Sequence, residues 1–137
     1  MASVDLNTRK CDGHVVVTLC GVLDVLDAVS VAAALAAVAA QQPEIIVDLA
    51  GVDFMDSSGV AALVRGRKHA RHAGGDLLLA APQQQVLRVL AITRLIDVFS
   101  VHASVDDAAA SAGRSRAEAS PAAGRPVPVA SVPLAVA

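Results

Sequence analysis

The segment Asp56-Ser57-Ser58-Gly59 holds the residues of this 137-residue chain whose types and spacing best suit chemistry. It lies between an apolar run and a segment rich in small residues, so we predict a buried strand, a tight acidic loop and then a helix. Asp and Ser are favoured at helix starts because their oxygens accept hydrogen bonds from unpaired backbone N–H groups. The same N–H groups and the helix dipole stabilise an added anion such as a phosphate. The four residues alone leave two roles open, a plain helix cap, which is the commoner, and a phosphorylation site.

Catalysis and metal binding have less support in the sequence. Residues 55–59 lack the first glycine of a G-x-S-x-G nucleophile elbow, and no His is evidently placed to activate Ser57. The chain has no G-x-x-x-x-G-K-[ST] phosphate loop. His69 and His72 have a spacing that suits a metal, but no third ligand is evident, and they belong to a basic run that is typical of a solvated helix end. We expect no enzyme, no cofactor and no metal site. An enzyme with Ser57 as nucleophile is the alternative from another class.

The wider string VDLAGVDFMDSSGVAAL, residues 47–63, resembles the signature of the STAS domain family, and specifically that of the bacterial anti-sigma factor antagonists. In that group the loop has the pattern D-[FY]-[ML]-D-S-[ST]-G, and a helix of small residues follows. The resemblance spans roughly residues 4–112. It implies that Ser57 is the residue that a partner kinase phosphorylates, with Asp56, Ser58 and Gly59 as its neighbours in the switch.

A second motif, Gly21-Val22-Leu23-Asp24, resembles the G-E-L-D of the same antagonists and implies that Gly21 and Asp24 belong to the switch site. We expect Asp24 to lie near Ser57, because the carboxyl ends of neighbouring parallel strands meet at one edge of a sheet. Without the resemblance, Asp24 and Asp27 are more simply helix caps, and we predict Asp27 as the N-cap of the helix that follows. Val22 stands where the family usually has Glu, which removes a charge beside the site.

The resemblance implies a regulatory binding protein. Its unphosphorylated surface, with Asp24, Ser57, Ser58 and Val60 as contacts, binds an anti-sigma factor with serine kinase activity and so releases the sigma factor. Phosphorylation adds about −1.5 to −2 charges beside acidic residues and switches binding off. A PP2C-type phosphatase and a homodimer are further associations that the family allows. The alternative is a STAS scaffold module in another signalling complex, of the stressosome type, without a working phospho-switch. Arg94 keeps this alternative open, because related sequences often have T-G-L where this chain has T-R-L.

Residues on either side of Ser57 have supporting roles in this interpretation. We expect Ser58 to cap the helix or to hydrogen-bond locally, and Gly59 to keep the helix start open to a partner. Phe54 and Met55 are expected to fill the core, since such side chains are usually buried.

Charge and hydropathy exclude several classes of function. Residues 1–112 carry 8 Lys and Arg against 12 Asp and Glu, a formal charge of −4, and residues 113–137 carry 3 Arg and 1 Glu, a formal charge of +2. A mildly acidic body is the opposite of a nucleic-acid-binding surface. The longest uncharged apolar run, residues 31–40, is about half a membrane span, and the first ten residues lack the apolar core of a secretory signal. We therefore expect a cytoplasmic protein that binds neither nucleic acid nor membrane.

The elements that must position the serine follow from turn signals and periodicity. Asp12-Gly13 predicts a hairpin between residues 4–10 and 14–20, with Cys11 opposite His14. Further strands are predicted over residues 45–49, 77–81 and 97–101, and helices over 27–41, 57–73, 82–93 and 105–112. A strand, a helix and a strand in succession give a parallel pair with a right-handed crossover.

The predicted fold class is therefore α/β, with a mixed sheet, an N-terminal hairpin plus parallel strands, packed against about four helices. The STAS resemblance implies the same layout, and residues 1–112 form the domain. From residue 113 onward Gly, Pro, Ser, Ala and Arg dominate. We predict a disordered tail over residues 113–137, because this composition buries too little apolar surface to offset its ordering entropy.

Overall fold

Five strands and four helices make up the part of the protein that its computed structural model describes, residues 4–119. In chain order they are β1 (Val4–Cys11), β2 (His14–Leu23), α1 (Val25–Gln41), β3 (Glu44–Met55), α2 (Ser57–His72), β4 (Asp76–Ala80), α3 (Gln84–Ile92), β5 (Val101–His102) and α4 (Val105–Ala119). The predicted class, an α/β fold with a mixed sheet and about four helices, is confirmed.

The sheet has the strand order β1-β2-β3-β4-β5, in which β1 and β2 pair antiparallel and all other neighbours pair parallel. Asp12-Gly13 forms the hairpin turn, with Gly13 at φ 85°, a left-handed conformation that glycine adopts without steric cost. The predicted register is confirmed, since Cys11 lies opposite His14. The hairpin register thus determines which side chains of β2, the strand that ends at the candidate site, face the core.

Both faces of the parallel part of the sheet are covered by helices. On one face α1, α2 and α3 enclose the larger cluster, which includes Leu19, Leu35, Val47, Leu63, Leu79 and Leu90. On the other face α4 covers a smaller cluster, formed by Val16, Ile46, Leu78, Ala80, Ala108 and Ala112. Residues 45–49 contribute to both clusters, as predicted for a central strand buried on both sides.

Several predicted boundaries are wrong. β3 continues to Met55, so most of the segment predicted as a tight acidic loop is strand. The last strand is Val101–His102 instead of residues 97–101, because residues 93–98 form the turns that follow α3. α4 begins after Ser104, as predicted, but it continues to Ala119 instead of ending at residue 112. Residues 120–137 of the predicted tail lie outside the described residues.

The C-terminal end of α2 is fixed by a glycine and by an ion pair. Gly74 has φ 99° just after the helix, and the N–H of Gly75 donates to the carbonyl of Ala70 at 2.8 Å, so the glycine pair ends the helix as predicted. Arg67 Nε lies 3.2 Å from Asp76 Oδ1 on β4.

Within residues 4–119, none of the helices combines the length and the apolar character that a membrane span requires.

Candidate functional site

Two parallel strands, β2 and β3, end side by side at the carboxyl edge of the sheet. Leu23 and Met55 are register partners at these ends, and the N–H of Asp56 donates to the carbonyl of Leu23 at 3.3 Å. Asp24 and Asp56 are the next residues of the two strands, and each opens a helix. The two motifs that the sequence singled out therefore lie next to each other in the fold.

Asp24 is the N-cap of α1. Its Oδ1 accepts a hydrogen bond from the N–H of Leu26 at 3.0 Å, and its carbonyl accepts from the N–H of Ala28 at 3.0 Å. The prediction that Asp27 is the N-cap is wrong, because the helix begins at Val25 and places Asp27 within its first turn. The acidic group at the end of β2 is thus held by the helix that it caps.

Asp56 is the N-cap of α2, and its side chain occupies the first N–H groups of that helix. Oδ1 accepts from the N–H of Ser58 at 2.9 Å and from the N–H of Gly59 at 3.2 Å. Ser57, the first residue of the helix, is exposed, whereas Asp56 and Ser58 are half-buried. Of the two roles expected for Ser58, the structure shows a local hydrogen bond, made by its backbone N–H to Asp56, whereas the cap itself is Asp56.

Gly59 is buried, and it lets the start of α2 pack against the strand ends. A Cβ at this position would lie 2.6 Å from Met55 Cγ, 2.8 Å from the carbonyl oxygen of Leu23 and 2.9 Å from Leu23 Cγ. No methyl group fits there. The expectation that Gly59 keeps the helix start open to a partner is therefore wrong, because this position faces the interior.

Gly21 marks an irregularity that aligns the two strand ends. Its φ is 104°, a backbone conformation that residues other than glycine rarely adopt. At this point the register shifts, because Gly21 is opposite Val52 while Val22 is opposite Phe54, so β3 carries one extra residue. Together with an earlier shift between Thr18 and Cys20, this bulge brings Leu23 level with Met55 and so sets the positions of the two capping carboxylates.

Two glutamines, Gln83 at the N-cap of α3 and Gln85 in its first turn, hydrogen-bond to the backbone of β3. The sequence analysis did not predict these contacts. Gln85 Oε1 accepts from the N–H of Met55 at 2.9 Å, and Gln85 Nε2 donates to the Met55 carbonyl at 3.0 Å. Gln83 Nε2 donates to the carbonyl of Ala50 at 2.7 Å. Because β4 pairs with β3 only as far as Asp48, these amides take the place of the missing strand. The run of three glutamines at residues 83–85 was the signal available in the sequence.

Solvent exposure shows which of the remaining residues near Ser57 belong to the core and which lie at the surface. Val60, expected to contact a partner, has an exposed fraction of 1%, so its side chain belongs to the core, and that expectation is wrong. Met55 is fully buried, as predicted, but Phe54 is 44% exposed and the prediction that it fills the core is wrong. Phe54 is paired with half-buried Val22 on the face of the sheet opposite Met55, where α1, α2 and α3 do not reach.

The arrangement combines an exposed serine with two acidic groups that are held by helix caps. Ser57 is accessible to another protein, and the capping carboxylates of Asp24 and Asp56 follow neighbouring strands beside it. His69 and His72 lie exposed in the last turn of α2, at the opposite end of that helix. Across residues 4–119, no group of three or more His, Cys, Asp or Glu side chains is arranged to hold a metal ion.

A family model described as "STAS domain" matches residues 5–108 of the chain, which include both capping aspartates and Ser57. The chain belongs to the STAS domain family. This STAS domain is 30% identical over 106 residues to a putative anti-sigma factor antagonist, BtrV, of Bordetella bronchiseptica, a match that covers 77% of this chain and 91% of the relative. It is 26% identical over 101 residues to the anti-sigma-B factor antagonist of Bacillus subtilis, covering 74% of this chain and 93% of the relative.

Among solved structures, this STAS domain is similar to an anti-sigma factor antagonist from Mycobacterium paratuberculosis. The TM-score is 0.74 at 26% identity, and the match covers 81% of this chain and 95% of the solved one. The chain thus spans nearly the full length of each of these relatives.

Arg94 stands where the T-G-L pattern has glycine, and its backbone adopts a conformation that suits glycine. It follows α3 with φ 62°, a left-handed conformation that favours glycine. Its N–H donates to the carbonyl of Ala91 at 3.1 Å, and the N–H of Leu95 donates to the carbonyl of Leu90 at 2.9 Å, which closes the helix. The backbone keeps the glycine conformation although the residue is arginine.

Proposed function

We propose that this protein is an anti-sigma factor antagonist. It binds an anti-sigma factor with serine kinase activity and so releases the sigma factor, and phosphorylation of Ser57 by that kinase ends binding. The observation that carries this proposal is the exposed Ser57 hydroxyl at the start of α2, flanked by the capping carboxylates of Asp56 and Asp24. A cytoplasmic location and a PP2C-type phosphatase that acts on the modified serine belong to the same proposal.

Exposure of the hydroxyl supports modification by another protein. A kinase must surround the acceptor oxygen, and Ser57 is the one exposed residue among positions 56–60. Asp56 and Gly59 hold the backbone on either side of it, through the cap and through the close packing against Met55. The acceptor is therefore presented on a fixed helix start rather than on a flexible loop.

The acidic cap supports an electrostatic switch. A phosphate at a free helix start would be neutralised in part by the N–H groups and the helix dipole. Here Asp56 Oδ1 already accepts from the N–H groups of Ser58 and Gly59. A phosphate on Ser57 thus adds about −1.5 to −2 charges next to an existing negative charge. The resulting anionic patch repels an acidic or closely fitting partner surface, and the fold need not change.

The docking surface in this proposal consists of the groups that remain accessible at the strand ends. Ser57 is exposed, and Asp24 and Ser58 are half-buried, so each can contact a partner. Val60 supports this surface from beneath, being 1% exposed. Val22, which replaces the usual Glu, forms an apolar pair with Phe54. This pair makes the neighbouring surface less acidic than in the relatives' pattern and tunes the choice of anti-sigma factor.

The test is a pull-down from a lysate of the source cell with three baits, wild type, Ser57→Ala and Ser57→Glu. Wild type and Ser57→Ala should retain a kinase-like anti-sigma factor, and Ser57→Glu should lose at least about 90% of it, because like charges placed together at an interface cost several kcal/mol. Ser100→Glu, which adds the same charge at an exposed loop residue, is the matched control and should behave as wild type. Incubation of the retained complex with ATP should modify wild type at Ser57 and leave Ser57→Ala unmodified.

Equal retention of the partner by all the baits would contradict the switch. It would favour the second candidate, a STAS scaffold module of a stressosome-like complex, in which Ser57 is only the first residue of a helix. Ester or amide hydrolysis that disappears in Ser57→Ala would contradict both candidates and favour an enzyme.

A further inference from the structure

The backbone around Met55 is held from two sides just before the helix of Ser57 begins. On one side β2 accompanies β3 as far as Leu23, and the N–H of Asp56 donates to the Leu23 carbonyl at 3.3 Å. On the other side Gln85 Oε1 accepts from the Met55 N–H at 2.9 Å, and Gln85 Nε2 donates to the Met55 carbonyl at 3.0 Å. One side chain, 30 positions away in the sequence, therefore bonds both backbone groups of the residue that precedes the cap.

The gap that Gln85 fills follows from the way in which β4 ends. β4 pairs with β3 only as far as the register partners Asp48 and Ala80. Ala81 then has φ 55°, a left-handed conformation, and Pro82 has no N–H to donate, so the chain leaves the sheet and enters α3. A side-chain amide carries both a donor and an acceptor, and it can therefore replace a strand at the end of β3.

Gln85 projects from a part of α3 that the core holds in place. Val86, the next residue, and Leu90, one turn further along, are both fully buried in the larger cluster. Gln85 itself is half-buried, and both ends of its amide are bonded to Met55. A side chain positions another group best when packing has fixed its own location, and Gln85 meets that condition.

Met55 carries this constraint to Ser57 by two routes. Along the chain it precedes Asp56, whose Oδ1 accepts from the N–H groups of Ser58 and Gly59. Through space its buried side chain lies under the start of α2, where a Cβ on Gly59 would come within 2.6 Å of Met55 Cγ. Ser57 lies between these two contacts, so its position at the surface depends on where Met55 is held.

We propose that Gln85 is a positioning residue for the phosphorylation of Ser57. It acts through Met55 and the Asp56 cap, and not by contact with the kinase. This inference rests on the proposed function, because it concerns the same serine and the same partner kinase. It adds to that function a residue of α3 that sets where the acceptor oxygen meets the kinase.

The reaction depends strongly on alignment. Ser57 Oγ forms a bond to the γ-phosphorus of ATP as the bond from that phosphorus to the ADP oxygen breaks, and the hydroxyl proton passes to a base of the kinase. The protein contributes to such a transfer mainly by positioning and by electrostatic stabilisation. A displacement of about 1 Å at a reacting centre costs about a hundredfold in rate, so a loosely held acceptor is a poor one.

Phosphorylation kinetics of the full chain test this role. The kinase is the anti-sigma factor that the wild-type bait retains, supplied with ATP, and kcat is measured separately from KM. Gln85→Met keeps the length of the side chain but removes the amide donor and acceptor. It should lower kcat about tenfold and change KM by less than about twofold, because the accessible groups at the strand ends remain while the alignment of Ser57 is lost.

Gln83→Met is the matched control. Gln83 Nε2 donates to the carbonyl of Ala50 at 2.7 Å, so this variant also removes an amide hydrogen bond between the start of α3 and β3. Ala50 lies six residues before Asp56, however, whereas Met55 is adjacent to it. Gln83→Met should therefore lower stability but change kcat by less than about twofold, since distant sites act independently. Urea unfolding and circular dichroism verify that each variant is folded at the assay temperature.

Amide hydrogen exchange supplies a readout that requires no kinase. The N–H groups of Ser58 and Gly59 are both bonded to Asp56. They should exchange at least about threefold faster in Gln85→Met, because a looser end of β3 lets the cap open more often. In Gln83→Met they should exchange at the wild-type rate.

The outcomes distinguish this inference from the proposed function. An unchanged kcat in Gln85→Met, with wild type modified at Ser57, would overturn the positioning role and leave the proposed function intact. An equal fall of kcat in Gln83→Met would also overturn it, because general loosening of β3 would then be the cause. A wild-type chain that the retained partner does not modify would overturn the proposed function and, with it, the reaction that Gln85 serves. Faster exchange at Ser58 and Gly59 would in that case assign Gln85 to the support of the helix cap alone.

Discussion

At the scale of single residues, the carboxylate of Asp56 connects the fold with its proposed regulation. It satisfies two N–H groups at the start of α2, with hydrogen bonds of 2.9 Å from Ser58 and 3.2 Å from Gly59. The same charge lies beside the exposed hydroxyl of Ser57. A group that stabilises the helix therefore also makes the position unfavourable for a second anion.

Substitution of Asp56 separates its capping role from its charge. Asp56→Ala should lower the free energy of unfolding by about 1 kcal/mol, because both N–H groups lose their acceptor. Asp56→Asn keeps an acceptor oxygen and should cost less than half as much. Urea unfolding followed by circular dichroism measures both. Equal costs for the two variants would mean that the charge, and not the hydrogen bonds, supplies the stability.

Arg94 carries a conformational cost that glycine would remove. Its φ of 62° is left-handed, and such a conformation costs an L-residue roughly 1–2 kcal/mol relative to glycine. Arg94→Gly should therefore raise the free energy of unfolding by about 1 kcal/mol, since the greater freedom of unfolded glycine offsets part of the gain. Thermal and urea unfolding would show the increase.

The opposite sign is expected for an arginine six residues earlier, within α3. Arg88 is exposed in the interior of α3, where glycine disrupts the helix, so Arg88→Gly should lower stability by about 1 kcal/mol. A loss of stability in both variants would show that the arginine side chain at residue 94 matters more than its backbone conformation.

At the scale of elements, side chains at the start of α3 make the hydrogen bonds that a neighbouring strand would make to the end of β3. Beyond Asp48, β3 has no strand on the β4 side, and the amides of Gln83 and Gln85 make the hydrogen bonds that a strand would make. The end of β3, and with it the Asp56 cap, is thereby tied to a helix that contributes Val86 and Leu90 to the core.

Removal of the Gln85 amide should weaken the end of β3. Gln85→Ala leaves the N–H and the carbonyl of Met55 without partners in a half-buried setting, and we expect a loss of about 1–3 kcal/mol in the free energy of unfolding. Gln84→Ala, one residue away on the exposed side of α3, should change stability by less than about 0.5 kcal/mol. Amide hydrogen exchange of Met55 and Asp56 should accelerate in Gln85→Ala alone. Unchanged exchange there would mean that water replaces the amide without loss.

Local signals in the sequence were sufficient for the elements that they control directly. The two-residue turn Asp12-Gly13 determines its own register, because a shift by one position would turn every side chain of the hairpin to the opposite face. The buried run of residues 45–49 and the glycine pair after α2 predicted a central strand and a helix end for similarly local reasons.

The features that the sequence did not predict depend on distant partners. β3 extends to Met55 because it pairs with β2 as far as Leu23, and Gln85, thirty positions later, completes the hydrogen bonds of Met55 on the other side. Phe54 is exposed because the bulge near Gly21 shifts its register against Val22. Val60 was expected as a partner contact because of the family resemblance, whereas α2 directs its side chain into the core. Asp27 was predicted as the N-cap of α1, but β2 ends at Leu23 and the helix begins directly after it, so that Asp24 is the cap.

At the scale of the whole molecule, the site lies at one edge of a sheet that is packed on both faces. Larger and smaller clusters lie on opposite sides of the parallel strands, and the two capping carboxylates project from the strand ends. A charge added at exposed Ser57 would lie at the surface, in contact with solvent or a partner, and outside the core. The proposed switch therefore alters a surface on a rigid support.

The last prediction separates binding from folding. Ser57→Glu should change the free energy of unfolding by less than about 0.5 kcal/mol, because attraction to the helix dipole and repulsion by Asp56 oppose each other at an exposed position. Its affinity for the anti-sigma factor retained by wild type should fall at least about tenfold, and added salt should reduce the loss by screening. Adding Asp56→Asn to this variant should recover part of the affinity. Calorimetric titration and urea unfolding measure the two quantities, and a parallel loss of stability and affinity would mean that the charge acts by disturbing the fold.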